Sequence, residues 1–288
     1  MAKEVVKKEN GNGGDLITAE MLEQMLADAG AGVSTASEDN ILPFVVLLQD
    51  MSPEVKKRDP EYVEGAEPGM YLNKATKQLY AGDEVTAKRT GKPRLEFQHC
   101  MLSKEVVEWV PREQGGGLVA RHQIVGTVED TMRKLGGKQG NDPANPARWS
   151  TSRSTELLET RYHFGQILTG DVPQPAVIAF KSTGHTASKQ WNTLMGGFKI
   201  IDPTTKKPMI INGEVRPMAS WYRRYIIGSK PRENNKGSFY VTTVDDGGKI
   251  EDRGLLAAGK TLHEGAKAGL IKASTDEGHD TGGVSDEI

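Results

Sequence analysis

One cysteine, Cys100, stands alone among 288 residues, so no internal disulfide and no cysteine-based zinc cluster can form. A lone thiol fits a reducing compartment. No run of about 18 apolar residues occurs, which excludes an ordinary membrane-spanning helix. The stretch from Met1 to Gly14 has basic residues with no apolar segment behind them, and it does not read as a secretory leader. Catalytic signatures are missing too. His99, His122, His163, His185, His263 and His279 are scattered, with no H-E-x-x-H pair to hold a metal. There is no G-x-x-x-x-G-K-[ST] phosphate loop and no G-x-S-x-G nucleophile elbow. The acids of the middle of the chain, such as Glu96, Glu105, Glu108, Glu113, Asp142, Glu156 and Asp171, stand singly, and only Glu129 and Asp130 are adjacent. Two-metal chemistry needs convergent carboxylates. The expectation is a binding protein that is not an enzyme, with no cofactor and no metal.

What is present is an uneven charge. The net charge of -2 hides a middle, residues 86–236, with 24 Lys+Arg against 13 Asp+Glu. The flanks are acidic: 8 against 16 in residues 1–85, and 5 against 10 in residues 237–288. A basic middle between acidic ends is the footprint of a polyanion binder whose own acids can compete for the same surface.

Strand patterns dominate from Gly69 to Val244. The apolar run Ile41–Leu48 reads as a buried strand that starts at an edge or bend because of Pro43. Leu95–Met101, Val106–Val110, Thr160–Leu168 and Ala176–Ser182 follow as strands. Residues 126–150, rich in Gly, Asn and Pro, read as a long excursion. Thr183–Met195 is the internal helix. Ala219–Ile227 and Ser238–Val244 form a closing hairpin through the turn-rich segment between them. Leu255, Leu262, Ala266 and Leu270 make an apolar stripe on a C-terminal helix that Gly254, Gly259, Gly265 and Gly269 weaken.

The predicted fold is therefore mainly β (α+β): an oligonucleotide-binding-like Greek-key barrel with long loop excursions, one internal helix and a C-terminal helix. Residues 1–40 are read as a flexible region with a short helix near Leu16–Ala29, and 41–250 as the β-barrel domain. Residues 251–272 are the C-terminal helix and 273–288 a disordered acidic tail.

A single strand is held by cations on its phosphates and aromatic rings under its bases. Three segments interleave the two. In the densest, Trp221-Tyr222-Arg223-Arg224-Tyr225, strand alternation puts Trp221, Arg223 and Tyr225 on one face and Tyr222 and Arg224 on the other. If Trp221 and Tyr225 are core, Arg223 also points inward and needs a partner, and the contact face is Tyr222 with Arg224. Lys230, Arg232 and Lys236 lie in the following turn, and Phe239 and Tyr240 open the next strand. In the second segment, Arg161-Tyr162-His163-Phe164, Tyr162 and Phe164 read as core with Arg161 and His163 exposed, and Arg153 lies just before. The third is Trp109 through the triple glycine at 115–117, with Arg112 and Arg121 as flanking phosphate ligands. Lys189 and Trp191 share the internal helix, where Trp191 reads as an anchor.

The run E-W-x-P-R-x-x-G-G-G-L-V-A from Glu108 to Ala120, F-K-S-T from Phe180 to Thr183, the K-x-W helix and the R-x-Y…N-x-K-G-x-F-Y hairpin resemble a group of tailed-phage single-stranded DNA-binding proteins. The acidic end, with Asp276, Glu277, Asp280, Asp286, Glu287 and Ile288, is similar to the tails of bacterial and phage single-strand binders, although Ile288 stands where those usually place an aromatic. The resemblance implies sequence-tolerant coating of single-stranded DNA in phage replication and recombination, in the cytoplasm of the infected bacterial host. It also implies a tail that recruits phage or host replication and recombination proteins. A homodimer is a further expected partner, and no membrane is. The alternatives from the residues are a single-strand annealing protein, a virion structural protein and a nuclease.

Overall fold

A computed structural model of the chain describes residues 41–111, 114–140, 148–211, 213–234 and 237–274. In chain order the elements are β1 (Ile41–Leu42), β2 (Val45–Leu47), β3 (Tyr71–Asn73), β4 (Leu79–Tyr80), α1 (Glu84–Thr90), β5 (Leu95–Trp109) and β6 (Leu118–Gln123). Then come α2 (Val128–Lys134), β7 (Lys138–Gln139), β8 (Trp149–Ser150), β9 (Glu156–Ile167), β10 (Gln174–Lys181) and α3 (Gly184–Gly197). The last are β11 (Ile210–Ile211), β12 (Glu214–Val215), β13 (Arg223–Asn234), β14 (Gly237–Lys249), α4 (Arg253–Lys267) and β15 (Lys272–Ala273).

Two long antiparallel strands, β5 and β9, pair from Phe97 opposite Ile167 to Trp109 opposite Glu156. Each is long enough to serve two neighbours in turn on its far edge. β5 pairs first with β13 and then with β6, and β9 pairs with β8 and then with β10. Twist accumulates along such strands, and a bulge between His99 and Met101 bends β5 further. The eight-stranded sheet curls into a half barrel.

Its concave face carries Phe97, Ile167, Ile178, Phe180, Tyr225 and Ile227, packed around Trp191 of α3. Trp191 is fully buried, as an anchor should be. The neighbouring face of β9 and β10 also lies in core: Tyr162, Phe164 and Val177 pack with Phe44, Val107 and Ala266. β9 is therefore buried on both sides.

β10 and β14, at opposite ends of the curl, do not pair with each other. The segment from Pro43 to Gln49 fills the gap. Val177 donates to the Pro43 carbonyl at 2.9 Å. At the other side the Gln49 amide stands in for a strand peptide, donating to the Tyr240 carbonyl at 3.0 Å and accepting from the Tyr240 N–H at 2.8 Å. The C-terminal part of the chain is built into the same body, because β15 pairs in parallel with β1 and α4 packs on β5 at Gly259. A Cβ there would lie 2.6 Å from Gln98 Nε2, so only glycine lets the helix come this close.

The mainly β, α+β, barrel-like expectation describes this architecture, and the internal and C-terminal helices form. Several local expectations need correction. Residues 83–90 hold a helix, α1, whose Asp83 side chain caps the Thr86 N–H at 2.7 Å. The 126–150 excursion contains α2, closed by a reciprocal cap between Thr127 and Asp130, along with β7 and β8. Leu95–Met101 and Val106–Val110 are one continuous strand. Leu270 falls beyond α4 and is exposed. The turn-rich segment after Gly228 is mostly strand, because β13 runs on to Asn234. Pro231 is tolerated there because its nitrogen points away from β14: the adjacent Ser229, on the same side, sends its N–H to Gly82 instead. The Leu16–Ala29 helix and the 273–288 tail lie outside the described residues, apart from Ala273 and Ser274.

Candidate nucleic-acid interface

The densest aromatic and basic segment does not begin as a strand. Ser220–Tyr222 is a 3₁₀ turn and β13 starts at Arg223, so alternation does not place Trp221 with Tyr225. Trp221 lies half-buried against His263 of α4, ring centroids 4.7 Å apart. Tyr222 stacks beside it at 6.3 Å and is 43% exposed. Tyr225 is fully buried against Trp191, and that burial raises its hydroxyl pKa.

Most of the nominated arginines are engaged by the protein itself. Arg223 pairs with Asp246, holding that carboxyl below the usual range, and lies 3.7 Å over the Phe198 ring. Arg224 pairs with Glu96 at 2.9 Å and Arg161 with Glu159 at 2.8 Å. Arg153, with its side chain 75% exposed, reaches Glu108 at 3.4 Å. Burial pushes the Glu108 carboxyl up, but hydrogen bonds from Thr155 (2.6 Å) and His122 (3.2 Å), with the Arg153 charge, hold it below the ordinary range. Arg121 lies 5.1 Å over Tyr162 and donates to the Ala273 carbonyl at 3.0 Å and to the Ser274 carbonyl, tying β6 to the C-terminal strand. Trp109 is half-buried with the Lys181 ammonium 3.9 Å over its ring. Arg112, Lys236 and the tail residues Asp276, Glu277, Asp280, Asp286, Glu287 and Ile288 lie outside the described residues.

His163 is not exposed. It is fully buried, stacked on Trp191 with centroids 4.5 Å apart, and bonded to the Ser188 hydroxyl at 2.8 Å. The sequence expectation assumed one solvated face for β9, whereas α3 covers that face.

Three nominated cations remain exposed and make no ion pair among the described residues: Lys189 on the outer side of α3, and Lys230 and Arg232 on β13. The hairpin register places Arg232 directly opposite Phe239 and Lys230 opposite Val241. Facing residues of an antiparallel pair share one side of the sheet, and here that is the outward side. Tyr240 points the other way, with its ring against Gly69, where a Cβ would meet Tyr240 Cε1 at 2.5 Å. Phe239, rather than Tyr240, is therefore the ring on the cationic face. In the sequence this whole segment reads as a turn, and the register seen here, with Asn234 opposite Gly237, is what puts residue 232 across from 239.

Among the described residues no three His, Cys, Asp or Glu side chains converge as a metal site, and no helix is long and apolar enough to cross a membrane. The fold defines a curled-sheet α+β protein, with Lys230 and Arg232 exposed on the outward face of one hairpin. The chain belongs to the family of Pam3 phage gp34-like proteins, matched over residues 11–272, which makes it a bacteriophage-type protein. No curated protein and no solved structure matches it.

Proposed function

We propose that this protein binds single-stranded DNA with little sequence preference during phage DNA replication and recombination, and that the outward face of the β13–β14 hairpin is the contact surface. The observation that carries this reading is the cross-strand set of Lys230 and Arg232, both exposed and without ion pairs among the described residues, beside the half-buried ring of Phe239. A ring beside two free cations offers a base a stacking surface and its phosphates a counter-charge. Tyr222, stacked on Trp221, supplies an exposed ring near the other end of β13. The curled sheet then does the work that a barrel does in oligonucleotide-binding domains, holding these side chains on a rigid support. Family membership places the protein in a bacteriophage setting; the replication and recombination role is part of the proposal, in which the acidic tail would recruit partner proteins.

Fluorescence anisotropy with labelled single strands and blunt duplex, across a salt series, tests the reading. Log affinity for single strands should fall linearly with log salt, by about 0.7 per phosphate neutralised. Phe239→Ala should weaken binding by about 1–3 kcal/mol with an unchanged slope, and Arg232→Ala should lower the slope by about 0.7. Arg232 is exposed, so its variant should keep the parent melting temperature; Phe239 is half-buried, so its variant is compared with the parent at a temperature where both are folded. Equal affinity for blunt duplex and single strands, or variants that bind as the parent does, would refute the assignment.

A further inference from the structure

Between α3 and the 3₁₀ turn the chain leaves the body of the protein as an arm, residues 199–217. Its root is closed by the Met218 N–H donating to the Phe198 carbonyl at 2.8 Å, three residues before Trp221. Its ladder comprises isolated pairings of Lys199 with Pro217 and Ile201 with Pro208, followed by the β11–β12 hairpin. None of its described side chains belongs to a core cluster. Ile201, Met209, Ile210 and Val215 are 47%, 41%, 69% and 46% exposed. Four large apolar side chains held in water on one protruding ribbon call for a partner.

The charge on the arm selects the partner. Residues 199–217 carry Lys199, Lys206, Lys207 and Arg216 against Asp202 and Glu214. The Asp202 carboxylate is turned onto its own loop, accepting from the Thr204 and Thr205 N–H groups at 2.7 and 3.1 Å. Lys206, Lys207 and Arg216 are exposed with no ion pair among the described residues. Two copies of such an arm would set like charges against each other on burying the apolar residues, which disfavours self-association. A polyanion has no such conflict. The arm has no aromatic ring, so it lacks the stacking surface that single strands use. Basic ribbons with Ile, Met and Pro suit duplex instead: cations lie along the phosphates while apolar side chains meet base edges or wedge between steps.

We infer that the 199–217 arm is a duplex-DNA contact, so that the protein prefers junctions at which a single strand meets a double strand. This rests on the single-strand reading above and adds the neighbouring duplex to it. The root of the arm adjoins the exposed Tyr222 and its stacked partner Trp221, and Arg223 lies on the arm-root ring Phe198. A strand leaving the aromatic pair would therefore meet the arm next.

The test compares the full chain on a single strand of about 16 nucleotides with the same strand joined to a short duplex. The junction should bind about tenfold tighter, with a salt slope steeper by about 0.9 for each duplex phosphate engaged and so by up to about 2.7 for three cations. Lys206→Ala with Lys207→Ala, and separately Ile210→Ser, should remove the gain while leaving single-strand affinity and melting temperature unchanged. Single-strand binding with no junction gain, or a gain indifferent to these variants, overturns the arm assignment and leaves the single-strand reading standing. Loss of binding to both ligands in the parent protein overturns both. A parent dimer in sedimentation that Ile210→Ser dissolves, with no junction gain, assigns the arm to self-association instead.

Discussion

His99 is completely buried between Trp191 and His163, ring centroids 5.1 and 5.0 Å away, and neither of its nitrogens has a hydrogen-bond partner. Burial, with a lesser contribution from His263, pushes its pKa down to about 3. In the unfolded chain it titrates near about 6.5. The folded value is depressed, so the unfolded state binds the extra proton. The neutral ring's contribution to stability is complete above the unfolded pKa and is lost as pH falls from there toward about 3. For one such histidine the loss reaches about 2 kcal/mol by about pH 5 and grows by about 1.4 kcal/mol for each further unit. His163, whose pKa burial also lowers, and His185 add to the same limb. Carboxylates contribute mainly below about pH 5, so the histidines dominate between about pH 6.5 and about pH 5.

His99→Phe keeps a ring of similar size in an aromatic cage and deletes one proton from the cycle. Urea unfolding of parent and variant at about pH 7.5 and about pH 5 should show the variant losing about 2 kcal/mol less between the two conditions. At the higher pH the variant should be at least as stable, because two unpartnered buried nitrogens have been removed. An identical loss in both proteins would falsify the assignment of this acid sensitivity to His99.

Arg224→Ala should leave the salt dependence of DNA binding unchanged in the anisotropy assay, because its guanidinium is already held by Glu96; a slope reduced as much as in Arg232→Ala would show that the pair opens to take a phosphate. Gly259→Ala should lower the melting temperature by an amount equivalent to about 1–3 kcal/mol, despite alanine's better helix propensity. The new Cβ would press on a Gln98 amide already committed to the Trp221 and Leu255 carbonyls and to Gln166. A higher melting temperature would mean that α4 shifts off β5 with little penalty.

The sequence by itself determined the β-rich class, the internal helix with its Trp191 anchor, and the basic middle, because these depend on local periodicity and composition. The hairpin itself was legible, but the register that puts Arg232 across from Phe239 was not, because the segment that reads as a turn continues as strand to Asn234. Tertiary structure decided which of those charges remain free. Arg161, Arg223 and Arg224 look like phosphate ligands in a list of residues, but Glu159, Asp246 and Glu96 reach them across strands or over the strand itself. Only Glu159 is near its arginine in sequence. Burial was decided in the same way. His163 alternates with Tyr162 and Phe164 as a solvated residue would, and only the packing of α3 onto that side of β9 buries it. The 199–217 arm shows the converse: its Ile, Met and Val residues resemble core in sequence, yet no second layer covers them. Periodicity specifies that a strand has two faces; what lies on each face is set by elements distant in the chain.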